Sequence, residues 1–102
     1  MAYALHPEAV EDLDEILEYI DIFNPSATDR LLEELFQTFD LLSSMPNQGF
    51  RRPELTSRPL RFAVVRNYLI AYAPEQTPLW IVAVIDGRRN PRVIAAILRA
   101  RE

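Results

Sequence analysis

Apolar side chains along this chain change their spacing near Leu60, which divides a helical first part from a stranded second part. Ala2 to Leu5 is a short apolar stretch closed by Pro7, and it predicts a strand feeding a helix whose first turn holds that proline. From Pro7 to about Phe23, Val10, Leu13, Leu17 and Ile20 recur at spacings of three and four, with Ile16 and Phe23 widening the stripe. The other face carries Glu8, Glu11, Asp12, Asp14, Glu15, Glu18 and Asp21, so the helix is amphipathic and its carboxylates are expected to be solvated. Asn24-Pro25 repeats the start signal. Leu31, Leu35, Phe39 and Leu42 then recur at helical spacing beside Leu32, Phe36 and Met45, and Pro46 ends the segment. A helical hairpin follows from this pattern.

Pro46 to Pro53 reads as a loop in which Gly49 is placed to take a positive φ. Beyond Leu60 the alternation is that of strands. Leu60, Phe62 and Val64 alternate with Arg61, Ala63 and Val65, and Tyr68, Ile70 and Tyr72 with Leu69, Ala71 and Ala73. Arg66-Asn67 makes the tight turn between them, with Asn as the residue that tolerates the left-handed conformation. Pro74 to Pro78 is a second turn, and Leu79 to Ile85 is an apolar run that includes Trp80. Asn90-Pro91 starts a final helix of about twelve residues, with Val93, Ile94, Ile97 and Leu98 on one side. The expected fold is α+β, in the order β-α-α-β-β-β-α, with the helical hairpin packed on a small, mainly antiparallel sheet. The second and third of the later strands are apolar on both faces, which suits a sheet covered on both sides. The hairpin covers one. The short final helix either packs on the other or stays mobile until a partner arrives.

Length and composition set outer bounds. The chain has 102 residues, enough for one domain over 1–102 with a single compact core. Hydrophobic residues make up 49%, which argues against disorder, and no apolar run approaches the roughly 20 residues of a membrane span. The N-terminus lacks a secretory pattern and the chain has no cysteine, so a cytoplasmic location is expected. No cofactor or metal is expected, because neither His nor Cys joins the acidic residues of the first helix. His6, the one histidine, is expected to cap that helix or sit in the loop before it.

Charge changes the picture more than composition does. Residues Met1 to Phe50 carry eleven acidic side chains and one arginine, whereas Arg51 to Glu102 carry ten arginines and four acidic side chains. A formal charge of −4 therefore conceals a bipolar molecule. All eleven basic residues are Arg, each a planar, permanently charged fork suited to carboxylate or phosphate. Arg51, Arg52, Arg58, Arg61 and Arg66 are expected to meet an acidic protein segment or pair within the chain. Direct nucleic-acid binding is not favoured, since no aromatic side chains interleave with them as stacking platforms. Arg88, Arg89 and Arg92 gather at the start of the final helix, where the helix dipole disfavours cations. They either pair with Asp86 or the first helix, or receive an anion from outside.

The element order, together with several loose motifs, resembles the RelE/ParE superfamily of bacterial toxins from type II toxin-antitoxin pairs. The residues concerned are Leu5-His6-Pro7-Glu8-Ala9 with Asp12-Leu13 and Ile16, Tyr19-Ile20, Asn24-Pro25, Leu41-Leu42, Pro46 and Gly49, Arg58 to Arg61, Asn67 to Tyr72, and Ile81 to Arg89. In this order they look like the ParE-like branch. Many chains of that branch carry His before the Gly-x-Arg near the end of the last strand, where this one has Asp86.

The resemblance implies a toxin that binds and poisons DNA gyrase and is neutralised by a cognate, ParD-like antitoxin, with no catalytic residue of its own. It points to the C-terminal region as important for toxicity, hence to Arg88, Arg89 and Arg92 as target-binding. Arg58, Arg61, Tyr68, Tyr72 and Trp80 are the expected antitoxin-binding residues, the aromatics because rings concentrate binding energy. RelE-like members instead cut messenger RNA on the ribosome, using Lys or Arg on the second and third strands and a Tyr on the last helix. The corresponding positions here are Leu60, Phe62, Leu69 and Ala95, and only Arg89 matches a basic catalytic position. A ribonuclease of this type remains the alternative, with Arg61, Arg66 and Arg89 substituting for the missing set.

Overall fold

The computed structural model describes residues 2–101. Strand β1 (Tyr3–Leu5) leads into helices α1 (Pro7–Phe23) and α2 (Pro25–Ser44). Strands β2 (Arg61–Val65), β3 (Tyr68–Ala73) and β4 (Leu79–Asp86) follow, and helix α3 (Pro91–Ala100) closes the order, so the architecture is the expected β-α-α-β-β-β-α. The strands lie in the order β1-β4-β3-β2. β1 runs parallel to β4, and the other pairings are antiparallel.

Each helix begins where a proline stands at its first position, but the three caps differ. His6 Nδ1 accepts from the Glu8 amide at 3.0 Å, and Asn90 Oδ1 accepts from the Arg92 amide at 2.8 Å. Asn24 makes no such bond, because its Oδ1 accepts from the Ser26 hydroxyl instead. The β2–β3 turn also departs from expectation. Arg66, not Asn67, takes the left-handed conformation, with φ 56°, and its guanidinium forms a two-pronged pair with Glu34 on α2. That pairing of turn to helix offers a compensation for a conformation that costs a non-glycine residue energy.

Two apolar layers sandwich the sheet. On one face, Leu13 of α1 and Leu31, Leu35, Phe39 and Leu42 of α2 pack on Val65, Ile70, Tyr72, Ile81 and Val84. On the other, Ile94 and Leu98 of α3, with Leu55 and Leu60 from the long connection, cover Phe62, Leu69, Ala71, Val82 and Ile85. Of the two fates open to the final helix, packing is the one observed. The α1 stripe is narrower than its spacing suggests. Ala9 and Leu13 are buried, whereas Val10 and Phe23, counted as part of the stripe, face outward, Phe23 at 71% exposure. Leu13, Ile16, Leu17 and Ile20 of α1 pack on this face, while Tyr19, Ile22 and Phe23 toward its end are exposed.

Gly49 is required for space and not for backbone freedom. No glycine has a positive φ among the described residues, but a Cβ on Gly49 would overlap the Tyr72 hydroxyl and stand 2.7 Å from the Phe62 carbonyl oxygen. Through that close approach, Tyr72 Oη donates to the Pro46 carbonyl at 2.7 Å and accepts from the Gly49 amide at 2.9 Å. One buried phenol therefore fastens the loop after α2 to the middle of the sheet.

Candidate functional site

The eleven arginines sort into two groups once the chain is folded. Arg52, Arg58, Arg61, Arg66, Arg88 and Arg101 use their guanidinium groups inside the molecule. Arg30, Arg51, Arg89, Arg92 and Arg99 are exposed and make no ion pair among the described residues.

The most consequential internal contact involves residues at opposite ends of the chain. Arg101 forks onto Asp12, Nη1 to Oδ2 at 2.5 Å and Nη2 to Oδ1 at 2.8 Å. Both side chains are largely buried, 10% and 15% exposed. Asp12 is partnered where the α1 pattern predicts a solvated carboxylate, and β1, only three residues long, leaves the edge of β4 open beside it. β1 covers the edge of β4 as far as Ile81, whose carbonyl accepts from the His6 amide at 2.9 Å. At Val82 the register with β3 shifts, Ala71 facing Ala83 and Tyr72 facing Ile81, and past Ile81 no strand lies along the edge of β4 that β1 covers. Asp12 Oδ2 accepts from the Val84 amide at 3.0 Å, and Arg101 Nη1 donates to the Val82 carbonyl at 3.3 Å. The ion pair thus occupies the place of a missing strand, satisfying backbone groups that would otherwise be buried unpaired. Arg101 carries no sequence signal for this beyond its charge, since its partner is 89 positions away.

Arg58 supports the same helix from below. Its Nη1 donates to the carbonyls of Leu98, at 3.0 Å, and Arg101. A cation at a helix C-terminus satisfies orphan carbonyls and opposes the negative end of the dipole. Arg61 similarly donates to the Gly49 carbonyl at 2.8 Å. Both expected antitoxin-binding arginines are therefore used in holding α3 and the loop.

The expected aromatic anchors do not form one patch. Tyr72 is fully buried, and that burial pushes its phenol above the usual tyrosine range; as folded, it offers no surface to a partner, because its hydroxyl is needed by the Pro46 and Gly49 backbone. Tyr68 packs at the margin of the hairpin face, whereas Trp80 packs on the α3 face beside His6, with ring centroids 5.7 Å apart.

At the end of β4, the three expected target-binding arginines also separate. Arg88 grips Asp86 with Nε and Nη2 at 3.0 and 2.7 Å, while its own amide donates to Asp86 Oδ1 at 2.9 Å. The Arg88 guanidinium holds the Asp86 carboxyl far below the usual carboxylate range. Asp86, at the position where a histidine was expected, thus engages one cation of the group. Arg89 and Arg92 have no such partner. Arg89 lines a depression with Glu15, Asp86 and Ile97, though without an ion pair to either carboxylate. Arg92 stands free on the outer side of α3.

A small mixed sheet, a helical hairpin on one face and a short helix latched on the other define a scaffold that exposes carboxylates on the hairpin, unpaired guanidinium groups around α3 and scattered apolar side chains. Residues 3–91 match the family described as ParE toxin of type II toxin-antitoxin system, parDE, and the chain belongs to that family. It is a toxin of the RelE/ParE superfamily, a class that implies a cognate antitoxin. No curated protein matches the chain. The family match ends at the first residue of α3, so Arg92, Arg99 and Arg101 lie beyond it. No helix among the described residues is long and apolar enough to cross a membrane.

Proposed function

We propose that this toxin acts by binding DNA gyrase and stalling it with cut DNA attached, and that it breaks no bond itself. The observation that carries this reading is the position of Leu60, Phe62 and Leu69. All three are buried in the apolar layer beneath α3, where RNA-cutting relatives are expected to place charges. Cations and proton-transferring groups are worth about 10² to 10³ each in such a reaction, and hydrocarbon cannot replace them. What remains exposed is recognition chemistry.

For the antitoxin, we assign the shallow cleft between α2 and the outer edge of β2. Leu41, Phe50 and Val64 line it and are each 43% or more exposed. Phe50 and Phe62 exchange both backbone hydrogen bonds across that edge, at 2.9 and 2.7 Å. By strand alternation the peptide groups of Val64 face the same way, open to an added strand.

The test is incubation of the purified toxin with gyrase and supercoiled plasmid. Accumulation of linear, enzyme-linked DNA is expected, and Arg89→Ala with Arg92→Ala should reduce it at least tenfold without altering thermal stability, since neither side chain has an internal partner. In parallel, translating ribosomes should yield no new transcript ends. New ends that vanish with Arg89→Ala would establish the RelE-type ribonuclease instead.

A further inference from the structure

The unpaired arginines are not scattered evenly. Of the five, three lie on or just before α3, and two of those, Arg92 and Arg99, are seven residues apart in one helix. Seven residues are close to two turns, so these side chains stand above one another about 10 Å apart along the axis. Ala96 lies between them, and Ile94 and Leu98 are buried on the opposite side. Arg89, three residues before Arg92, is exposed at the helix start, in the depression it shares with Glu15 and Asp86. No acidic residue occurs within α3; of the carboxylates that line the depression beside Arg89, Asp86 and Asp12 are taken by Arg88 and Arg101, and Glu15 makes no ion pair with Arg89. The positive end of the helix dipole adds to the charge of Arg89 and Arg92. Within the chain this arrangement is unfavourable, and an external anion reverses its sign.

The surroundings select the kind of anion. A protein partner is held by a buried apolar centre with polar groups at the rim. Around these arginines the exposed side chains are mostly small, Ala96, Ala100 and Pro91, with Val93 the one larger apolar side chain exposed on α3. Nucleic-acid interfaces are instead polar, positive and formed mainly with phosphates. No aromatic residue occurs in α3 to stack on a base. The apolar core of the α1–α2 hairpin lies on the opposite face of the sheet, while Asp12 and Glu15 of α1 reach the margin of α3 beside Arg89, so a polyanion is directed to the outer side of α3, where Arg92 and Arg99 are exposed.

We propose that Arg89, Arg92 and Arg99 form a sequence-independent contact for the phosphodiester backbone of duplex DNA. This deepens the reading of the toxin as a poison of a DNA-bound enzyme, adding a second hold on the DNA that the enzyme has cut. The experiment uses free DNA, so its failure leaves gyrase binding standing, and failure with gyrase leaves the DNA contact standing.

The folded, full-length chain is titrated with a short labelled duplex by fluorescence anisotropy, starting at low salt and raising it. Three phosphate contacts give a slope of log K against log salt of about −2.7, and each arginine removed lowers its magnitude by about 0.9. Arg89→Ala, Arg92→Ala and Arg99→Ala combined should abolish binding, whereas Arg30→Ala and Arg51→Ala, equally exposed but off the row, should leave the slope unchanged. Duplexes of unrelated sequence should bind alike. The proposal is overturned if no binding appears at low salt, or if the combined variant binds like the parent. Equal losses in the two control variants would overturn it too, by showing a response to net charge alone. An Asp/Glu-rich peptide of equal charge binding tighter than the duplex would assign the row to an acidic protein segment instead.

Discussion

On one face of the sheet, a 17-residue and a 20-residue helix bury a continuous layer of Leu and Phe side chains. On the other face lies one helix of 10 residues, of which only Ile94 and Leu98 are buried hydrophobics. A helix that short is marginal by itself, and what retains it is largely polar: Arg58 on its last carbonyls, and the Arg101–Asp12 pair that ties its end across the edge of β4. The first face is secured by area; the second depends on a few directional contacts. The surface nearest the proposed DNA contact can therefore loosen without dismantling the hairpin face.

Truncating each face in turn should separate the two modes. Phe39→Ala empties a fully buried site against Tyr3, whose ring lies edge-on at 5.4 Å, and should cost about 3–5 kcal/mol with cooperative loss of the whole fold in urea. Leu98→Ala should cost about 2–3 kcal/mol, and hydrogen exchange should rise first in α3 while Leu35 and Ile70 stay protected. Equal, global loss of protection in both variants would erase the distinction. Arg58→Ala should be milder, about 1–2 kcal/mol, with faster exchange confined to residues after Ile94.

The smallest effect concerns acid. Arg88 lowers the Asp86 carboxyl, so the stabilisation is complete above the ordinary carboxylate midpoint of about 4 and is lost only as pH falls through the lower folded value. A carbon-detected titration should find Asp86 still ionised at pH 3. An ordinary midpoint there would show that Arg88 is free to join the target-binding group.

The hairpin and strands were legible because their signals are local. Helix starts are marked by Pro7, Pro25 and Pro91, strands by alternation around Phe62 and Ile70, and the β4 core by an unbroken apolar run. Misreadings arose where distant contacts decide. Gly49 is governed by Tyr72, Arg66 in the turn is joined to Glu34, and Asp12 is recruited by Arg101. Charge counting identified an arginine-rich half and an acidic helix, yet it could not say which arginines would be used within the fold. Tyr68, Tyr72 and Trp80 are expected together as anchors because rings concentrate binding energy, but Trp80 packs on the α3 face, Tyr68 on the hairpin face, and Tyr72 is buried.

The ion pair that replaces a strand at the β4 edge is what makes the α3 face distinct, and a double-mutant cycle on Asp12→Ala and Arg101→Ala tests it most directly. Each single variant should lose about 3 kcal/mol in urea denaturation, since it leaves a buried charge or the Val84 amide unsatisfied. The double variant should lose much less than the sum, giving a coupling of about 1–3 kcal/mol, with Val84 amide exchange accelerated in every variant that lacks Asp12. Additive losses with an unchanged Val84 amide would contradict the account, placing α3 on the sheet by apolar packing alone.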